Sequence, residues 1–220
     1  MFILDRILNF LDRKNIVRKK FTHIYDNNIF EGDESLSGKG SNLSQTEIIR
    51  QELPKLINEL GIKTFVDAPC GDFFWMQKTN LPIQKYIGID IVEKAIQYNN
   101  EKYHTDSVEF LCLDIITDRL PKADMIFCRD CLVHLDFRQA LQAINNFKKS
   151  GSTYLLTTTF TDRAQNTDLG AIIWRTLNLQ IAPFNLPNPI KLINEGCTEG
   201  NNEYQDKSLG LWRLSDISIK

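Results

Sequence analysis

Three apolar runs in the first half of the chain each end in an aspartate, and this limits the possible folds more than any other feature. Phe65-Val66-Asp67 leads into the turn Ala68-Pro69-Cys70-Gly71-Asp72. Twenty-three residues after Asp67, Tyr86-Ile87-Gly88-Ile89 ends in Asp90, and Phe110-Leu111-Cys112-Leu113 ends in Asp114. Helical stretches alternate with these runs, as in a parallel sheet covered on both faces. Ligands of open α/β sheets sit outside the carboxyl ends of the strands. Three acids at three successive strand ends therefore describe a nucleotide pocket.

The rhythm continues along the chain. A helix is expected from Ser44, where Ser44-Gln45-Thr46-Glu47 has capping-box spacing. Its apolar face is Ile48, Ile49, Leu53, Leu56, Ile57 and Leu60, and Gly61 is placed to end it. Pro54 falls inside, so a kink or two abutting helices are expected. Strands are expected near 63–67, 85–90, 108–113, 124–128 and 152–160, with helices at 92–102 and 135–149 and a short one from Phe73. After an irregular stretch, strands at 190–194 and 209–214, joined by a polar turn, predict an antiparallel edge. The fold class is α/β, a Rossmann-like mostly parallel sheet with an antiparallel last strand. Residues 44–220 form the main domain, preceded by a helix and a glycine-rich lid or linker within 1–43.

Bulk properties exclude several functions. A chain of 220 residues buries a core without disulfides or metal. A net charge of −2 offers no bulk attraction for nucleic acid. Five cysteines, mostly within apolar runs, fit a reducing, cytoplasmic setting. At the N-terminus Phe2, Ile3, Ile7, Leu8, Phe10 and Leu11 lie on one helical face, and Arg13, Lys14, Arg18, Lys19 and Lys20 follow. Asp5 and Arg6 interrupt the run and no small-residue cleavage site follows, which argues against a signal peptide. Such a helix either packs on the domain or makes a peripheral contact with an anionic membrane or a protein.

The motifs Val66-Asp67-Ala68-Pro69-Cys70-Gly71-Asp72, Gly88-Ile89-Asp90, Leu113-Asp114-Ile115 and Phe127-Cys128-Arg129-Asp130-Cys131-Leu132-Val133-His134-Leu135 together resemble the class I S-adenosylmethionine-dependent methyltransferases. The resemblance covers about residues 45 to 160. It implies a seven-stranded sheet and S-adenosylmethionine at the strand ends. Asp67, Pro69, Gly71 and Asp72 would line the bend under the methionine part, with Phe73, Phe74 or Trp75 covering the cofactor. Asp90 would take the ribose hydroxyls and Asp114 the adenine amine, between Ile91 and Ile115. Arg129 would close the methionine end. Pro69 and Phe73 replace two glycines of the family's Asp-x-Gly-x-Gly-x-Gly loop, and only Gly71 remains. The same loss argues against a dinucleotide fingerprint, which needs those glycines. Glu31-Gly32, Gly38-Lys39-Gly40-Ser41, Ser44-Gln45-Thr46, Asn178-Leu179 and Pro183-Phe184-Asn185 are similar to a bacterial subfamily associated with surface-polysaccharide assembly. The implied acceptor is a small molecule or saccharide.

An oxygen acceptor must lose its proton. His134 is the candidate base, with Asp130 one turn away if 130–134 is helical. Trp174, Arg175 and Asn178 offer an aromatic platform, an anion clamp and an amide for the acceptor, or else a packed connection. Two other functions stay open. One is a domain that binds the cofactor without turnover, or a partner subunit that only stabilises another enzyme. The other is redox or metal work at Cys128-x-x-Cys131, with Cys70 as a third thiolate. The main reading requires no metal.

Overall fold

The computed structural model describes residues 16–170 and 173–219. Residues 16–26 are helical (α1). They are followed by α2 (Glu47–Leu60), α3 (Glu93–Tyr103) and α4 (Phe137–Lys149). The strands are β1 (Thr64–Asp67), β2 (Lys85–Asp90), β3 (Val108–Cys112), β4 (Met125–Cys128), β5 (Tyr154–Phe160), β6 (Lys191–Asn194) and β7 (Lys207–Arg213). They form one sheet in the order β3-β2-β1-β4-β5-β7-β6. β1 to β5 pair in parallel, and β7 runs antiparallel to both β5 and β6. The strand order turns back beside β1, between β2 and β4, and this is where such sheets leave a crevice.

Alternation along the strands divides the core in two. On β1, β4 and β5 the side chains of Val66, Ile126 and Leu155 enter one cluster, with α4 residues Ala140, Ala143, Ile144 and Phe147. Phe65, Met125, Phe127 and Leu156 enter the other, with Ile49, Leu53, Leu56 and Ile57 of α2 and Ile96 of α3. Successive strand residues face opposite sides, so continuous apolar runs are what a sheet buried on both faces requires.

Helix boundaries differ from expectation at two places. α2 starts at Glu47 with Thr46 as its N-cap and no side-chain cap, so the Ser44 capping box does not form. Instead the Thr46 hydroxyl donates back to the Asn42 carbonyl at 3.0 Å, and Arg50 donates to the Leu43 carbonyl at 2.9 Å. α2 runs as a single helix through Pro54 and ends at Gly61 in the left-handed conformation (φ 64°). The capping box that does form is Asp136 with Gln139 at the start of α4.

Residues 1–15 lie outside the described part, and with them the apolar face of Phe2 to Leu11. Among the described residues no helix is long and apolar enough to cross a membrane.

Candidate functional site

A cavity of about 450 Å³ opens at the carboxyl ends of β1, β2 and β4. Its floor includes Asp67, Pro69, Gly71, Asp90 and Asp114, and Trp75, Ile91 and Ile115 form apolar walls. Its roof comes from α1 (Val17, Phe21, Ile24, Tyr25) and from residues 30–41. The three strand-end acids foreseen in the sequence thus meet in one space.

Each acid is held differently. The Asp90 carboxylate accepts from the Gly71 amide at 3.1 Å and the Val92 amide at 2.9 Å, and burial raises its pKa. Asp114 is 1% exposed; its oxygens accept from the Ile116 amide and the Thr117 hydroxyl at 2.8 and 2.9 Å. Asp67 accepts from the Tyr86 hydroxyl at 2.5 Å, and burial pushes its carboxyl up to about 8. Asp72 turns to the roof. It accepts from Ser35 Oγ at 2.8 Å and the Leu36 amide at 2.9 Å, and meets Ser37 Oγ at 3.4 Å. The glycine-rich segment is therefore a wall tied to the loop after β1. Gly71 allows that closeness: a Cβ there would lie 2.0 Å from Ser37 Oγ, and its φ is +53°. Phe73, at a lost glycine position, leaves the cavity wall and packs with Tyr86, Tyr103 and Phe110.

At the other end lies a buried charge cluster. Arg129 donates to Glu195 through Nε and Nη2 at 3.1 and 2.8 Å and to the Gly40 carbonyl at 2.9 Å, and its guanidinium sits over Trp75. Burial disfavours its charge, but Glu195 and Asp130 outweigh that and raise its pKa. Lys207 Nζ binds Asp130 Oδ2 at 2.6 Å, with Glu195 at 3.6 Å and Glu199 at 3.8 Å. Burial would raise the Asp130 carboxyl, but Lys207 and Arg129 prevail and hold it at about 2. Nothing in the sequence motifs pointed to Glu195 or Lys207. Lys207 opens a strand instead of closing one, and β7 is the reversed strand.

The expected Asp130–His134 pairing does not form. Asp130 has φ +50° and turns to Lys207, and only 132–134 form a short 3-10 turn. His134 Nδ1 lies 2.7 Å from the Ile173 carbonyl. A carbonyl can only accept, so Nδ1 carries the proton and Nε2 keeps its lone pair. The ring lies 4.8 Å from Phe30, and burial lowers its pKa to about 4.

Of the three acceptor candidates only Trp174 reaches the cavity, where Tyr204 packs 5.0 Å from it. Arg175 is corrected to a structural role. Its guanidinium donates to the carbonyls of Leu132, Leu135 and Thr167 at 2.8, 2.5 and 3.2 Å, which leaves no anion clamp. Asn178 likewise donates to Thr161 and Arg163 carbonyls at 3.4 and 3.0 Å and accepts from the Gln180 amide at 3.0 Å. Both stitch the irregular connection after β5, whose backbone groups lack sheet partners. The three-thiolate alternative also fails: among the described residues no group of three or more metal-ligating side chains comes together.

Comparison with known proteins agrees with this fold. Residues 66–156 match a family model described as a methyltransferase domain. The match spans less than half of the chain, and the solved structures share its Rossmann-like methyltransferase fold. Among solved structures, the 1,6-didemethyltoxoflavin-N1-methyltransferase of Burkholderia thailandensis, with bound 1,6-didemethyltoxoflavin and S-adenosylhomocysteine, is 11% identical. That match covers 92% of this chain and 89% of that one, with a TM-score of 0.60. An S-adenosylmethionine-dependent methyltransferase from Clostridium acetobutylicum ATCC 824 is 13% identical over 89% and 98% of the two chains, with a TM-score of 0.56. The N-methyltransferase NodS from Bradyrhizobium japonicum WM9 is 15% identical over 74% and 94%, with a TM-score of 0.52. At such identities the likeness establishes the fold. No curated protein sequence matches the chain.

Proposed function

We propose that this chain is an S-adenosylmethionine-dependent methyltransferase acting on a hydroxyl of a small molecule or saccharide. The observation that carries the reading is the convergence of Asp67, Asp90 and Asp114 with the Gly71 amide on one cavity, within a matched methyltransferase domain. The residues fit the cofactor chemically. Asp90 is oriented by two amides, and each of its oxygens retains acceptor capacity for a ribose hydroxyl. Ile91, Ile115 and Trp75 supply flat apolar walls, and a volume of about 450 Å³ lies within the range of small-molecule sites.

When bound, the cofactor supplies a methyl group on a sulfonium that brings its own leaving group. The protein's task is alignment and exclusion of water. Phe21, Phe30 and Trp174 shield the acceptor end, where Tyr204 and Trp174 present ring faces and edges suited to a sugar or another ring. His134 Nε2 takes the acceptor proton, since Nδ1 is already committed to Ile173. Asp130, held ionised, serves as a hydrogen-bond acceptor and not as the base. The resemblance to polysaccharide-associated enzymes supports a saccharide acceptor.

The test is calorimetric titration with S-adenosylhomocysteine of the wild type and an Asp90→Ala variant, followed by methyl-transfer assays on nucleotide sugars and saccharides. Micromolar binding lost in the variant is expected. Binding without turnover across the panel would favour a non-catalytic cofactor-binding domain, and no binding at all would end the proposal.

A further inference from the structure

Tyr86 lies outside the loop that approaches the cavity, yet it grips the first of the three acids. In the sheet register Tyr86 pairs with Phe65, and Gly88 pairs with Asp67. Residues two apart share a face of the sheet, so Tyr86 stands diagonal to Asp67. Aromatic side chains span that separation. The phenol does so here, donating to Asp67 Oδ2 at 2.5 Å with both residues only 3% exposed. Its ring is wedged among Phe65, Phe73 and Phe110, with centroids 6.1, 4.9 and 5.9 Å away. Burial raises the phenol pKa well above its ordinary value, so the hydroxyl remains a donor.

The second oxygen of Asp67 accepts no hydrogen bond among the described residues, and Asp67 forms part of the cavity wall. The surroundings set its charge. From the end of β2, Asp90 adds negative potential, and from the end of β4, Arg129 opposes it. From the loop, Cys70 stays a neutral thiol because burial raises it. Burial dominates, and the carboxyl rises to about 8. At neutral pH this wall therefore presents a protonated acid that a cation would convert to a carboxylate.

We propose that Tyr86 is a positioning residue for the cofactor's amino-acid end: it fixes Asp67 so that the free oxygen receives the α-ammonium group, and binding expels the Asp67 proton to solvent. This rests on the cofactor reading above. No covalent bond changes; the ammonium replaces the proton as partner of the carboxylate. Affinity then falls by up to about tenfold per pH unit below the Asp67 pKa and levels off above it. The tyrosine hydroxyl favours the carboxylate over the acid. Its loss shifts the rising limb upward by about one pH unit, as expected for one hydrogen bond to a charged group.

The experiment is calorimetric titration with S-adenosylhomocysteine from about pH 6 to about pH 9, in two buffers of different ionisation enthalpy. The proteins are wild type, Tyr86→Phe and Asp67→Asn. Tyr86→Phe keeps the ring among its aromatic neighbours, and Asp67→Asn reports any titration of the ligand itself. The wild type is expected to release protons and to bind more tightly as pH rises. Tyr86→Phe should bind about tenfold more weakly near pH 7 and converge on wild type toward pH 9. Asp67→Asn should lose the site's proton release. Equal weakening of Tyr86→Phe at every pH, or a wild-type affinity that ignores pH, overturns the inference. Failure to bind at any pH overturns the cofactor reading itself, and this inference with it.

Discussion

Replacing Gly71 by alanine tests whether the roof and the loop after β1 share one geometry. Gly71 has φ +53°, and a Cβ there would lie 2.0 Å from Ser37 Oγ and 3.2 Å from Ser37 Cβ. An alanine in the left-handed region costs about 1–2 kcal/mol. Ser37 must also move, giving up its 3.4 Å contacts with the Asp72 carboxylate and amide. Two long hydrogen bonds of this kind add about 1 kcal/mol. The sum, roughly 2–3 kcal/mol, lowers Tm by about 4–12 °C in a domain of this size. Differential scanning calorimetry of Gly71→Ala, Ser37→Gly and the double variant separates the two parts. Ser37→Gly gives up the same two hydrogen bonds, so adding Gly71→Ala in the Ser37→Gly background should cost only the backbone share of about 1–2 kcal/mol. A Gly71→Ala protein as stable as wild type would refute the argument. So would a Gly71→Ala cost as large in the Ser37→Gly background as in the wild type.

Lys207→Met should cost about 2–3 kcal/mol in urea unfolding at neutral pH. This is below the loss from a fully buried pair, because Arg129 still faces Asp130 and the Asp130 side chain is 24% exposed. Asp130 is held at about 2, below its unfolded value, so its contribution is present above about pH 4 and lost as pH falls toward 2. The variant should show a flatter acid limb, and an unchanged limb would contradict the pairing. His134→Gln should lower kcat by about 10²–10⁴-fold while leaving S-adenosylhomocysteine affinity unchanged. The wild-type kcat, measured at saturating cofactor, should fall on the acid side near pH 4, not 6.5, and a midpoint near 6.5 would remove His134 as the base. Arg175→Met should lower stability by about 2–3 kcal/mol without raising the KM for an acceptor; a raised KM with stability intact would restore the anion clamp.

The sheet and the meeting of the strand-end acids could be read from sequence because both depend on local pattern. Apolar runs bounded by Asp67, Asp90 and Asp114 mark strand ends wherever the chain places them. The other end of the cavity depends on contacts between distant segments. Arg175 looks like a free cation in sequence, but three backbone carbonyls of an irregular connection already hold its guanidinium. Lys207 was missed because strand-end reasoning searches the last residue of a strand, and the reversed β7 brings its first residue to that side of the sheet. Ser44-Gln45-Thr46-Glu47 had the spacing of a capping box, yet the turn from Asn42 to Thr46 delays the helix start. Tyr86 carried one available signal: it lies two positions before Gly88, the strand partner of Asp67.

The cavity walls are closed by bonds between residues far apart in the chain. Ser35 meets Asp72, Gly40 meets Arg129, Lys20 meets the His134 carbonyl, and Gln45 meets Thr198. The last pair spans 153 positions, and Glu199, Tyr204 and Lys207 line the cavity itself, so its rim is complete only once β7 has begun to emerge. Loop closure over such separations is slow, which makes the pocket a late product of folding. A ligand that fills it will therefore report on completion of the whole chain, and a nascent chain ending before Thr198 would offer it an unfinished rim.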